Sequence, residues 1–296
     1  MSFDPGAVAA ALTAALGRPV ASAPDATVGG GSIHVAHRWP SAAGPLFVKL
    51  APAADAPLLA AEAEGLAALA ATHAVVVPAV LARGVADRHA WLALEWLELV
   101  PDPEASDAAL GERLAALHRA SAPRFGYAAD NYIGRTPQRN GWCDDWPKFL
   151  LERRLRPQLD LAAANGNTGP LQTRGARLLG AVGAFYAGYR PVPALLHGDL
   201  WNGNRGALRD GTPVVYDPAP YFGDREADLA MARLFVGFGA RFYEGYAASW
   251  APDPGAGERV ALHQLYHVLN HLNLFGGGYA RQALALIDRL LSSAGA

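Results

Sequence analysis

Apolar residues change rhythm once along this chain, from alternation in the first third to a helical repeat in the rest. Residues 5–16 are Ala-rich with apolar spacing suited to a short helix. Strand-like pieces begin at Val20, break at Gly29-Gly30-Gly31-Ser32, and resume through Ile33 to Trp39. Residues 45–50 read as a buried strand carrying one lysine, and 53–73 as a helix in an Ala/Leu frame. Val75-Val76-Val77-Pro78 leads into a strand ending near Gly84, and 90–97 forms another. After the Pro- and acid-containing connector Val100-Pro101-Asp102-Pro103-Glu104 the pattern turns helical, over 108–119, 149–163, 171–189, 224–235, 241–250, 256–275 and 279–292. Strands first and helices afterwards predict an α+β, bilobal, protein-kinase-like fold rather than alternating βαβ units. The predicted division is a β-rich N-terminal lobe at 1–97 and a helical C-terminal lobe at 98–296.

Composition narrows the partners. At 296 residues, 51% hydrophobic and 18% charged, the chain has length enough to bury a core. A formal net charge of −2 offers no electrostatic footprint for nucleic acid or an anionic membrane. Charges, Gly or Pro interrupt every apolar run before it reaches a membrane span. The single cysteine, Cys143, forms no intrachain disulfide, and the N-terminus lacks a basic-then-apolar leader. A cytoplasmic protein is expected. Only Lys49 and Lys148 are lysines in a chain that otherwise uses Arg, which suggests that a compact point charge is needed at these two positions.

The stretch 195–231 carries the candidate chemistry. It reads Leu-Leu-His-Gly-Asp-Leu-Trp-Asn-Gly-Asn, a short turn, Val-Val-Tyr-Asp-Pro-Ala, then Gly-Asp-Arg-Glu-Ala-Asp-Leu-Ala-Met. Asp199 with Asn204 in one tight loop, and Asp217 delivered by a turn and strand, match a hydroxyl-positioning Asp and two magnesium ligands of phosphoryl-transfer enzymes. Such chemistry requires positioning and charge neutralisation more than covalent steps. Lys49 would then neutralise the non-transferred phosphates of ATP, held by Glu62. Glu62 shares a helical row with Leu58, Leu59, Leu66 and Leu69, whereas Glu64 lies about 200° away. Gly30, Gly31 and Ser32 offer backbone N–H groups to a phosphate, although a glycine cluster also serves as a plain turn. Glu95, Trp96 and Leu97 offer backbone groups to adenine, or form an ordinary strand-to-helix link. Asp228 and His197 are expected to brace the catalytic loop, and His118 to be structural. The polar, aromatic segment 125–146 reads as a ligand wall or as an ordered surface loop. A hydrolase triad lacks its Gly-x-Ser-x-Gly elbow, and His263 with His267 lacks the glutamate of a zincin, so helix packing accounts for those histidines.

His197-Gly-Asp-Leu-Trp-Asn-Gly-Asn204, Asp217-Pro-Ala and Gly223-Asp-Arg-Glu-Ala-Asp-Leu-Ala-Met231 strongly resemble the fructosamine kinases (ketosamine-3-kinases). These belong to the wider aminoglycoside phosphotransferase and choline kinase group. The likeness extends to Gly30-Gly-Ser-Ile-His34, Phe47-Val-Lys49, the Glu62 helix and Asn131-Tyr-Ile-Gly-x-Thr-Pro-Gln138 with Asn140 and Trp146. The resemblance implies ATP- and Mg²⁺-dependent phosphorylation of the sugar 3-hydroxyl of ketosamines, on small molecules or glycated lysines, with release of the amine afterwards. It implies Asp199 as base, Asn204 and Asp217 as metal ligands, Lys49 and Glu62 as the ion pair, 95–97 as adenine hinge, and Trp201 against the sugar. A monomer or weak homodimer is expected; Ser32 stands where many members carry a cysteine tied to redox-sensitive dimerisation, so that switch is expected to be absent. His34 replaces the usual Asn of that motif. The other readings are a kinase for another hydroxylated or aminated metabolite, and a non-catalytic pseudokinase; retention of Lys49, Asp199, Asn204 and Asp217 together argues against the second.

Overall fold

Asp4 opens the first element by accepting the N–H groups of Gly6 and Ala7, at 2.9 and 3.3 Å, which satisfies spare donors of a helix start. Helix α1 (Pro5–Leu16) follows and closes at Gly17, whose φ of 64° suits glycine. The computed structural model describes residues 3–29, 35–100 and 104–295. Gly30, Gly31, Ser32 and His34, named above for phosphate contact, lie outside the described residues, as do Pro101, Asp102 and Pro103.

Five strands follow the alternating stretch: β1 (Ala26–Val28), β2 (Val35–Trp39), β3 (Leu46–Pro52), then, beyond helix α2 (Ala56–Ala70), β4 (Val80–Ala86) and β5 (His89–Glu95). They form one antiparallel sheet in the order β1-β2-β3-β5-β4. Alternation along a strand assigns successive side chains to opposite faces. Leu46, Val48 and Leu50 of β3, with Trp91 and Ala93 of β5, pack with Val8 and Leu12 of α1. Ala51 of β3, with Ala90, Leu92 and Leu94, packs with Leu59, Ala63 and Leu66 of α2. Position 49 falls by the same alternation on the α2 face. The strand expected to end near Gly84 is β4, and Val75–Val77 before it lies outside the sheet. Only Val76 pairs, in one bridge to Val214, and Pro78 lacks the N–H that a ladder needs.

Two compact units divide the chain. The first comprises Met1–Ser106 together with Gly203–Pro218, and the second Asp107–Asn202 together with Ala219–Ala296. The returning segment of the first unit is a hairpin, Arg205–Ala207 against Pro213–Val215. Its backbone bonds to Val76 (Val215 N–H to Val76 O, 3.0 Å) and to Val100 (Val100 N–H to Ala207 O, 2.8 Å).

The second unit is mostly helical: α3 (Asp107–His118), a small β6 (Asn131–Ile133) and β7 (Thr136–Gln138) hairpin, α4 (Trp146–Phe149) running through a π-turn segment (Leu150–Leu155) into α5 (Arg156–Ala164), α6 (Pro170–Ala181), α7 (Glu226–Met231), α8 (Ala240–Ser249), α9 (Ala256–Phe275) and α10 (Tyr279–Ala294). Its core gathers Phe149, Leu155, Leu178, Leu196, Met231, Leu262, Leu269 and Ile287. Glu226 is clamped by Arg259 through two 2.7 Å bonds, both side chains buried. Asp224 and His263 stand beside this pair, with His263 Nε2 at 3.5 Å from Asp224. Among the described residues no helix is long and apolar enough to cross a membrane.

Candidate active site

In the first unit, Lys49 Nζ donates to Glu62 at 2.7 Å and to Asp217 at 2.5 Å. The Lys49 and Glu62 side chains are 9% and 12% exposed, against 40% for Asp217, so the triad has a sealed end and an open one. Burial alone would lower the lysine pKa, but the Asp217 and Glu62 carboxylates outweigh it, and the net shift is upward. Glu62 is pushed up to about 7, by burial first; Lys49 opposes that shift and the Asp217 charge reinforces it. Two carboxylates share one ammonium, and the buried one yields. Glu64 points elsewhere, 60% exposed and 3.8 Å from Arg83.

The hairpin sets up Asn204 and Asp217. Arg205 pairs with Val215, and Tyr216 N–H continues the ladder to the Asn204 carbonyl at 3.1 Å. Asn204 and Asp217 therefore leave the same end of the hairpin, Asn204 buried and Asp217 at a φ of 57°. A left-handed φ is uncommon without glycine and concentrates at functional sites. An amide oxygen and a partly exposed carboxylate are hard donors, and that pair fits Mg²⁺. At 95–97 the Glu95 N–H already donates to Ala79 O (2.9 Å), and Trp96 packs on Phe47 while donating to Glu98 (2.7 Å).

In the second unit the loop carrying Asp199 is tied down from below. Asp228 Oδ2 accepts His197 N–H at 2.7 Å and lies 3.1 Å from His118 Nε2, while Oδ1 accepts Gly198 N–H at 2.9 Å. Burial raises the Asp228 pKa, but the His118 bond, the nearby imidazoles and the Gly198 N–H more than offset it and hold the carboxylate low. Asp199 N–H reaches His197 Nδ1 at 3.3 Å. Gly198 has a φ of 83°, and a Cβ there would stand 2.0 Å from the Ala219 carbonyl oxygen. Only glycine fits. Ala219 N–H in turn donates to His197 O at 2.9 Å.

Segment 125–146 is a brace. Asn131 donates to Pro220 O (2.8 Å), Gln138 to Ala219 O (3.1 Å), and Arg154 to Asn140 (2.7 Å), all from buried side chains. The first two bonds hold the chain that follows Asp217, and the third anchors the segment itself.

Two features beside Asp199 and Trp201 escape sequence reading. His267 of α9, assigned above to helix packing, places Nδ1 3.9 Å from Asp199 Oδ1. Phe235 stands edge-on to Trp201 at 6.4 Å between ring centres, and it contacts His271 and Tyr279 at 4.6 and 6.2 Å. Its φ of 58° and its 40% exposure keep this ring at the surface. The i, i+4 spacing of His263 and His267 marks one helix face, with no sign of the Asp199 loop beside it, and nothing in the sequence marks the turn at Phe235.

A sheet lysine clamped by a helix glutamate, a hairpin Asn/Asp pair and a braced Asp loop define a phosphotransferase of the kinase-like fold. An aminoglycoside phosphotransferase structure shares this fold, with a TM-score of 0.63 at 17% identity over 97% of this chain and 100% of its own. The family profile described as "Fructosamine kinase" matches residues 6–293, and the chain belongs to that family. It is 41% identical to a "probable ketoamine kinase" of Synechocystis over 96% of both chains. It is 37% identical to the chloroplastic protein-ribulosamine 3-kinase of Oryza sativa subsp. indica, over 90% of this chain and 78% of the relative. A Thermobifida fusca structure provisionally named fructosamine-3-kinase matches at a TM-score of 0.84 and 39% identity, over 97% of this chain and 99% of that one.

Proposed function

We propose that this protein phosphorylates the sugar 3-hydroxyl of ketosamines at the expense of ATP, so that the phosphorylated adduct breaks down and frees the amine. The observation that carries the reading is the Lys49–Glu62–Asp217 triad in a chain whose residues 6–293 match the fructosamine kinase family. Lys49 binds and neutralises the non-transferred phosphates, and Glu62 holds its ammonium in place. Asn204 and Asp217 would hold Mg²⁺, which when bound supplies charge neutralisation across the phosphate oxygens. Backbone groups of 95–97 meet the adenine, where Glu95 N–H donates to Ala79 O and the Leu97 carbonyl accepts Leu99 N–H at 3.1 Å. Asp199 orients the acceptor hydroxyl and takes its proton as the oxygen–phosphorus bond forms. His197 and Asp228 hold that loop, and Trp201 lies against the sugar ring.

The net charge of −2 and single cysteine support a cytoplasmic enzyme, monomeric or a weak homodimer. It acts on small ketosamines and glycated lysines, in repair of glycated protein, with neither nucleic acid nor membrane as a partner. Incubation with ATP, Mg²⁺, fructoselysine and ribuloselysine tests the reading, with ADP release coupled to appearance of a sugar 3-phosphate expected. Transfer to some other metabolite, with none to any ketosamine, overturns it.

A further inference from the structure

Helix α9 presents three histidines on one face, four residues apart, and two have evident structural partners. His263 Nε2 lies 3.3 Å from Tyr186 Oη and 3.5 Å from Asp224. His271 Nδ1 meets the His267 carbonyl at 2.9 Å, and its ring packs with Phe235, Phe275 and Tyr279. His267 differs. It is 3% exposed, and its Nδ1 has no hydrogen-bond partner. A buried polar atom left in that state costs about 1–3 kcal/mol, so an apolar side chain would serve packing better. The carboxylate Oδ1 of Asp199, at 3.9 Å, is too far for a direct bond.

A separation of 3.9 Å is one that a single oxygen can bridge. An alcohol oxygen about 2.8 Å from both atoms would see them at an angle of roughly 90°, tighter than tetrahedral yet within the broad range such bonds adopt. Burial, helped by the charges of neighbouring His271 and His263, pushes the His267 pKa down to about 3, so the ring is neutral at physiological pH and carries a single N–H. It therefore does not pair with Asp199 as an imidazolium.

We infer that His267 is a second contact for the acceptor: its Nδ1–H donates to the hydroxyl oxygen while the hydroxyl proton points at Asp199. This rests on the assignment of Asp199 as the proton acceptor. In the transfer, the hydroxyl O–H bond breaks and its proton passes to the Asp199 carboxylate. The same oxygen bonds to the γ-phosphorus, and the bond from that phosphorus to the bridging oxygen of ADP breaks. His267 neither gains nor loses a proton. Its contribution is registration: a ketosamine sugar offers adjacent hydroxyls, and a two-point grip selects which one faces the base.

The test uses the whole chain with His267→Asn, His267→Gln and His267→Leu, ribuloselysine as acceptor, and ATP affinity and melting temperature measured beside turnover. An asparagine amide nitrogen stands near the place of Nδ1, whereas a glutamine nitrogen stands near Nε2. The expected result is a loss of about 10²-fold in kcat for Leu and Gln, a loss within about tenfold for Asn, unchanged ATP affinity, and a mixture of sugar phosphate positions by ³¹P NMR in the Leu variant. A folded Leu variant with wild-type kcat/KM and a single product overturns the inference, as does a loss that is equal for Asn and Leu. Because substitution in a core helix can prevent folding, the wild-type His267 Nδ1 resonance is a second readout. It is expected to move when ribuloselysine is added without nucleotide, and no movement overturns the inference. A wild type inert toward every ketosamine removes the functional reading itself, whereas an active wild type with an unaffected Leu variant removes only the role of His267.

Discussion

Lys49 and Asp217 meet at 2.5 Å although 168 residues separate them in sequence. The same ammonium is shared with Glu62, so the lysine ties three separate parts of the chain together.

Lys49→Met leaves Glu62 buried beside a second carboxylate. Breaking a buried pair costs about 3–5 kcal/mol, and the low end is expected because Glu62, already near pKa 7, takes up a proton readily. Thermal melts should show a clear drop that Lys49→Met/Glu62→Leu largely restores. Turnover should fall at least about 10³-fold in both variants. Restored turnover in the double variant would separate the ion pair from catalysis.

Gly198 and Gly211 share a φ of 83° but not their surroundings, because a Cβ at 198 meets Ala219 O at 2.0 Å and one at 211 meets nothing within 4 Å. Gly211→Ala should cost about 1 kcal/mol from backbone strain alone. Gly198→Ala must also move the loop bearing Asp199, and should lose several-fold more stability together with most activity. Equal melting temperatures for the two variants would contradict this account.

Much of this was legible beforehand, for physical reasons. Period-two alternation marks β3 and β5, and the 3.6-residue repeat marks Glu62 rather than Glu64 as the inward carboxylate. The Asp217 side chain on Lys49 is a product of topology, which no local pattern encodes. Val75–Val77 has strand propensity, yet Pro78 and the return of the 203–218 hairpin leave it a single bridge. His267 looks like any apolar-face histidine until Gly198 and Asp228 bring the Asp199 loop beside it.

Asp228→Asn exchanges an acceptor for a donor opposite the Gly198 and His197 N–H groups. One of those groups, or His118, then loses its partner, at about 1–3 kcal/mol. Turnover should fall by one to two orders of magnitude, with ATP affinity near wild type by calorimetry. An equal loss of both would show the brace reaching the nucleotide side.

Acid should destabilise the fold through His267. Its folded pKa, about 3, lies below the ordinary 6.5, so the unfolded chain binds more protons throughout that interval. Stability is complete above about pH 6.5 and declines as pH falls toward 3, by at most about 1.4 kcal/mol per unit from this group. His271, His263 and Arg154 oppose a charge on His267, whereas Asp228 and the adjacent Asp199 favour one. His37 and His271 are lowered as well and act in the same direction. Melting temperature should drop between pH 7 and 4.5, and less so in His267→Asn. An identical drop in that variant would assign the effect to other groups.

The hairpin 203–218 belongs with the first unit although both of its flanks belong with the second. A chimera spliced at residue 106 would therefore import Asn204 and Asp217 from the foreign parent and set them beside a native Lys49. Exchange of the whole second unit between relatives requires three crossovers, with 203–218 left in place. A single-point splice therefore divides one charge triad between two parents, and any misfit should appear first as a loss of stability.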